Sequence, residues 1–167
     1  MIILGIDPGL ATTGYGIIKL EIKNQKLKII NFGCIKTSPN LPFAKRLEII
    51  SDELEKIIKK NKPDKVGMEK IFFAKNAKTA MQVGEARGVI TLGIIRHQIP
   101  LVELTPLQVK QALTGYGQAS KQQIQKMVKM ILSLKDIPRP DDAADALAIA
   151  ITASGTKDEF NSCPGLK

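Results

Sequence analysis

The chain opens on an apolar run, Ile2-Ile3-Leu4-Gly5-Ile6, that drives straight into Asp7 and is stopped at once by Pro8 and Gly9. Such a run reads as a buried strand. Proline has no ladder N–H and glycine admits a left-handed turn, so the strand must end at the carboxylate. An aspartate there can simply initiate a turn. It becomes a site only if the rest of the chain carries other carboxylates to the same strand end.

Residues 10–16 are small and turn-like, β character resumes over residues 17–22, and residues 26–36 continue it across Asn24 and Gln25. Three strands with short links make an antiparallel meander. Residues 42–61 then carry Leu47, Ile50, Leu54, Ile57 and Ile58 on one stripe, with Pro63 just beyond, which predicts an amphipathic helix over one sheet face. Residues 64–69 repeat the opening theme, since Val66, Gly67 and Met68 form a short apolar strand ending on Glu69. A strand entered from a helix after a strand is a crossover unit. It is expected to run parallel to the first and to put Glu69 beside Asp7, at the end where open α/β sheets place their sites.

Residues 76–97 are helical in pattern but apolar or small nearly all round, with interior glycines at Gly84, Gly88 and Gly93. A helix without a clear polar face is covered on more than one side, so either it is a central helix of the fold or it meets a second subunit, in which case Met81, Gly84, Gly88 and Leu92 are the candidate dimer interface. Residues 101–104 form another short strand, and Thr105-Pro106 opens a helix. After the glycine-flanked loop at Gly115 and Gly117, Ser120 and Gln123 make a capping box for the next helix. Lys121 sits in that helix's first turn, where a cation opposes the dipole.

The last helix starts at Asp141-Asp142-Ala143-Ala144-Asp145, with Asp141 expected as its N-cap. Asp142 and Asp145 are three apart and share a face. Ala143, Ala144, Ala146, Ala148 and Ala150 keep this helix thin enough to lie close to the sheet. Residues 1–155 are expected to form a single nuclease domain, and residues 156–167 a polar tail without function.

Composition narrows the chemistry. One histidine and two cysteines, without a Cys-x-x-Cys pair, exclude a zinc site of the usual kind, so any metal is held by oxygen. Twenty-five Lys and Arg against sixteen Asp and Glu give a net charge of +9, which asks for a polyanionic partner. No apolar run approaches the roughly 20 residues that span a bilayer and no basic leader precedes the first strand, so a cytoplasmic protein is expected. Four carboxylates, Asp7, Glu69, Asp142 and Asp145, would repel one another unless a divalent cation lay between them. The cluster therefore predicts Mg²⁺, with two ions able to hold the attacking and leaving oxygens of a phosphodiester, and metal-assisted hydrolysis of nucleic acid.

These motifs also resemble a known family. Ile-Leu-Gly-Ile-Asp-Pro-Gly with Thr13-Gly14-Tyr15-Gly16, Met68-Glu69 with Phe72, Ala74, Lys75 and Asn76, Gly84-Glu85-Ala86-Arg87-Gly88, Gln108-Val109-Lys110-Gln111 and Asp142-Ala143-Ala144-Asp145-Ala146-Leu147-Ala148 occur in the order and spacing of the RuvC family of bacterial Holliday junction resolvases. The similarity runs to about Thr152. It implies a ribonuclease-H-like α/β fold, a mixed five-stranded sheet of three antiparallel N-terminal strands plus parallel strands with helices on both faces. It further implies a homodimer, Mg²⁺-dependent paired nicking of four-way junction DNA with Mn²⁺ as a substitute, and coupling to the RuvA–RuvB branch-migration complex. It assigns the catalytic and metal-binding carboxylates to Asp7, Glu69, Asp142 and Asp145, leaving Asp141 as an extra, capping residue. Lys110 and Lys121 are placed near the scissile phosphate, Phe72 as an aromatic stacking on an opened base, and Lys75 among the DNA-binding residues. Lys70 stands where glutamine is expected. The rival readings are a junction-binding protein without catalysis and an actin-like ATPase; the intact carboxylate set argues against the first, and the lack of a second glycine-rich nucleotide loop against the second.

Overall fold

The computed structural model describes residues 1–70 and 77–156. Among them, β1 (Ile2–Asp7), β2 (Thr12–Glu21), β3 (Lys26–Lys36), β4 (Lys65–Glu69) and β5 (Leu101–Leu104) form one mixed sheet in the order β3-β2-β1-β4-β5. β1, β2 and β3 pair antiparallel, whereas β4 runs parallel to β1 and β5 parallel to β4. This is the expected mixed sheet. One boundary differs: β2 begins at Thr12, because the turn after Asp7 is short and Gly14 and Gly16 are already paired opposite Asp7 and Gly5.

Alternation along the strands sends side chains to two separate cores. Leu4, Ile6, Val66 and Met68 pack under α1 (Phe43–Asn61) and α2 (Ala77–Arg96) with Ile50, Leu54, Ile90 and Ile94. Ile3, Ile18, Val102 and Leu104 pack on the other face under α3 (Pro106–Thr114), α4 (Lys121–Ile131) and α5 (Asp141–Ser154). Because the period is 2, Ile3, Gly5 and Asp7 share the α5 face, as do Lys65, Gly67 and Glu69. Both strand-end carboxylates thus emerge on the side where α5 lies.

α5 is buried almost throughout, since the sheet lies beneath it and α3 and α4 pack beside it. Its closeness to the sheet comes from a row of glycines. Gly16, Gly5 and Gly67 are register partners across β2, β1 and β4. A Cβ on Gly5 would stand 2.0 Å from the Ala146 carbonyl oxygen, and one on Gly67 would stand 2.7 Å from the Ala153 Cβ. A Cβ on Gly16 would meet Leu147 at 2.8 Å. Alanines on the helix are half of the contact, and glycines on the strands are the other half. Lys65, buried at the far end, donates to the carbonyl of Thr156 at 2.8 Å and so ties β4 to the end of α5.

α2 has two faces. Ala86, Ile90 and Ile94 are fully buried, and Gly93 admits Leu54 of α1 at 3.2 Å from where a Cβ would stand. The opposite stripe is uncovered: Met81 is 70% and Leu92 51% exposed, and nothing lies within 4 Å of a Cβ placed on Gly84 or Gly88. No helix among the described residues is long and apolar enough to cross a membrane. His97 lies just past α2 and pairs through Nε2 with Glu55 Oε2 at 2.6 Å, which gives the lone histidine a structural partner away from the strand ends.

Candidate active site

Four carboxylates reach the C-terminal end of β1 by two routes. Asp7 and Glu69 end neighbouring parallel strands, one step past the last paired residues Ile6 and Met68. Asp142 comes from the first turn of α5 and Asp145 from the turn that follows it. Asp142 is seated over Gly14, the register partner of Asp7, where a Cβ would stand 2.1 Å from the Asp142 carbonyl oxygen and 3.2 Å from its Cβ. Gly14 pairs in turn with Cys34 of β3. The row Asp7, Gly14, Cys34 is small enough to admit the start of α5, and burial together with the Asp142 carboxylate pushes the Cys34 thiol up.

The electrostatics record this crowding. Burial pushes the Asp7 carboxyl from its ordinary value up to about 7, with the charges of Glu69, Asp145 and Asp142 adding to it. Glu69 is also raised, chiefly by burial and then by Asp145. Within the pair, the neighbouring Glu69 side chain adds to the rise at Asp7, while Asp7 offsets part of the rise at Glu69.

Lys121 supplies a neutralising charge. Its Nζ stands 2.8 Å from Asp145 Oδ2 and 3.6 Å from Asp141 Oδ2, and the Asp145 hydrogen bond raises the ammonium's pKa. The cation that opposes its helix dipole thus has its reason in α5. Asp141 is not the N-cap: Pro140 holds that position without a side-chain cap. Proline restricts the backbone there and has no capping group, so the Asp141 carboxylate is in the first turn and binds outward, to Arg139, to Gln125 at 3.2 Å and to Lys121.

Lys110 and Lys121 line a cavity of about 230 Å³ with Glu69, Asp145, Val109 and Ile124, so the structure brings both lysines to the cavity that two of the carboxylates border. Both helices that carry them start from full capping boxes. Ser120 with Gln123 was legible as such, but the equivalent pair Thr105 with Gln108 on α3 was hidden behind the more obvious Pro106. Phe72 and Lys75 lie outside the described residues.

The donor set is all oxygen, which suits a hard divalent cation. Among the described residues, however, no three His, Cys, Asp or Glu side chains are drawn together tightly enough to hold an ion. The Lys121 ammonium offsets part of the crowded charge at Asp145, and the rest shows in the raised carboxyls of Asp7 and Glu69. Carboxylates crowded enough to raise one another fit added positive charge, which an ion would supply.

Comparison with known proteins gives the family. The family model for the crossover junction endodeoxyribonuclease RuvC matches residues 3–153. The RuvC of Desulforamulus reducens is 56% identical over 151 residues, covering 90% of this chain and 91% of the relative, and that of Caldicellulosiruptor saccharolyticus is 55% identical over 152 residues, covering 90% of each. Among solved structures, Thermus thermophilus RuvC superposes with a TM-score of 0.86 at 37% identity, over 92% of this chain and 93% of that one. The same protein in complex with a Holliday junction substrate gives 0.84 at 34%, with the same coverage. A ribonuclease-H-like sheet closed by a helix that delivers two aspartates to two strand-end carboxylates, matched over nearly all its length by these relatives, places the chain in the crossover junction endodeoxyribonuclease RuvC family.

Proposed function

We propose that the protein is a structure-selective endodeoxyribonuclease that resolves four-way DNA junctions, in recombination and repair, with Asp7, Glu69, Asp142 and Asp145 as its catalytic carboxylates. The observation that carries the assignment of residues is the meeting of two parallel strand ends with the start of α5, beside Lys110 and Lys121. A nuclease of this family depends on a divalent metal. Here the four carboxylates would hold Mg²⁺, two ions by the number of donors, with Mn²⁺ able to replace it. When bound, the metal supplies the positive charge that lets all four carboxylates ionise together and lowers the cost of negative charge on the phosphodiester.

The chain's own residues do the rest. Asp7, whose carboxyl is raised by burial and by its neighbours, and half-buried Glu69 beside it would ionise together once that charge is in place. Lys121 exchanges part of its hold on Asp145 for the non-bridging oxygens of the scissile phosphate, and Lys110 faces the same cavity. Water attacks phosphorus in line. A P–O bond forms to the water oxygen as the bond to the 3′-oxygen breaks, the water's proton passes to solvent, and the leaving 3′-oxygen takes one up. The products are a 5′-phosphate and a 3′-hydroxyl.

A junction offers two like strands related by a two-fold axis, so symmetric nicks call for an isologous dimer. The exposed stripe of α2, with Met81, Gly84, Gly88 and Leu92, is the surface we assign to it. Phe72 stacking on an opened base, Lys75 on the DNA and coupling to RuvA–RuvB rest on family resemblance. The test is Asp7→Asn on a synthetic four-way junction in Mg²⁺. Binding should persist and cleavage vanish, and equal cleavage by both proteins would remove Asp7 from the mechanism.

A further inference from the structure

A second cavity, of about 380 Å³, opens beside the carboxylates on another side from the one lined by the two lysines. It is lined by Gly9 and Leu10 of the turn after β1, by Thr12 at the start of β2, by Arg46 of α1, by Gln82 of α2, and by Asp142. Each cavity therefore borders one aspartate of α5: Asp145 with Lys110 and Lys121 in the first, Asp142 with Arg46 in the second.

Arg46 is held in place by the turn that leads away from Asp7. Its Nε donates to Thr37 Oγ1 at 2.9 Å, and that hydroxyl, buried, donates to the Leu10 carbonyl at 2.5 Å. The Thr37 N–H donates to the Ala11 carbonyl at 3.1 Å, and Thr13 Oγ1 donates to the Gly9 carbonyl at 2.6 Å. This arrangement uses one nitrogen of the guanidinium. Among the described residues, the two terminal nitrogens have no acceptor and no carboxylate pairs with the group. A planar fork fixed at its Nε and open at its end matches a phosphate in geometry and charge, where a lysine would offer only a point charge.

We propose that Arg46 is a second phosphate clamp. It grips a backbone phosphate of the strand being cut, on the Asp142 side of the scissile bond, while Lys110 and Lys121 hold the Asp145 side. The strand then crosses the carboxylates pinned at two ends, and Thr37 acts as the positioning residue for the clamp. This inference rests on the junction-nuclease reading.

The experiment uses the Asp7→Asn protein, in Mg²⁺, on a four-way junction and on linear duplex. Adding Arg46→Gln should weaken junction binding about 5- to 10-fold and make the slope of log affinity against log salt shallower by about 0.9, the value for one lost phosphate contact. A scan of neutral methylphosphonates along the cut strand should find one position that weakens the Arg46 protein and leaves the Arg46→Gln protein unaffected. Arg46→Lys, which keeps the charge and loses the fork, should fall between, and it carries the same scan if the glutamine variant does not fold. Unchanged affinity and salt slope in both variants, or no phosphate position coupled to Arg46, overturns the clamp. If Asp7→Asn itself fails to prefer the junction over linear duplex, the functional reading fails and the clamp falls with it.

Discussion

Gly5 of β1 lies so close beneath Ala146 of α5 that a Cβ on the glycine would stand 2.0 Å from the alanine's carbonyl oxygen and 2.5 Å from the N–H nitrogen of Ala150. Neither neighbour is a flexible side-chain end that could step aside. The contact sets how near α5 comes to the sheet, and hence whether Asp142 and Asp145 reach Asp7 at all.

Gly5→Ala should therefore destabilise the protein by about 2 kcal/mol, typical of an overpacked core. Urea unfolding followed by circular dichroism measures it. Cleavage should fall further than the unfolded fraction accounts for, because a helix lifted by a methyl group carries Asp142 and Asp145, the aspartates we assign to the site, with it. Wild-type stability in the Gly5→Ala variant would show that α5 is not seated on this glycine row.

Lys121→Gln separates two roles of one ammonium. In the metal-free site it neutralises Asp145 at 2.8 Å and so competes with a divalent ion for that carboxylate. Its loss should tighten Mn²⁺ binding a few-fold, read by titration calorimetry, while cleavage of the junction drops about 10- to 100-fold. Weaker metal binding in the variant would mean that Lys121 does not oppose the ion.

The Asp7 carboxyl gives a pH signature to the metal-free protein. Its pKa is raised in the folded state from 3.8 to about 7, so its contribution to stability is present below pH 4 and is lost as the pH rises through 7. In EDTA the wild-type protein should lose melting temperature across that window, and Asp7→Asn should lose less of it. Mg²⁺ should restore the wild-type value at pH 8 and do little for the variant. A wild-type profile in EDTA that stays flat between pH 4 and 8 would refute the crowding at Asp7.

Much of this was legible in the sequence for a simple reason: strand, helix and carboxylate were written in local patterns. The apolar run into Asp7, its echo at Glu69 and the stripe of α1 each fix an element without help from distant residues. What was hidden depends on pairs that only the register brings together. Gly16, Gly5 and Gly67 are far apart in the chain and look ordinary one by one, yet they form the row on which α5 rests. Asp141 misled for a related reason, since an aspartate before a helical run looks like a cap, but Pro140 already holds that position and the partners of Asp141 come from Arg139, α4 and Lys121. Nothing local marks Arg46, and its tie to Thr37 exists only once the end of β3 meets the turn after β1.

The stripe on α2 can be tested without disturbing the fold. Nothing lies within 4 Å of a Cβ on Gly88, so a side chain there points into open space in the single chain. Replacing a glycine inside a helix should even favour the helix, by up to about 1 kcal/mol. Gly88→Glu places a charge between Gly84 and Leu92 on the face we assign to the second subunit. The variant should stay folded, as judged by circular dichroism, and sediment as a monomer where the wild type sediments as a dimer. It should also lose the pairing of nicks on a junction, cutting one strand per encounter. A dimer that survives the substitution would move the interface away from this stripe.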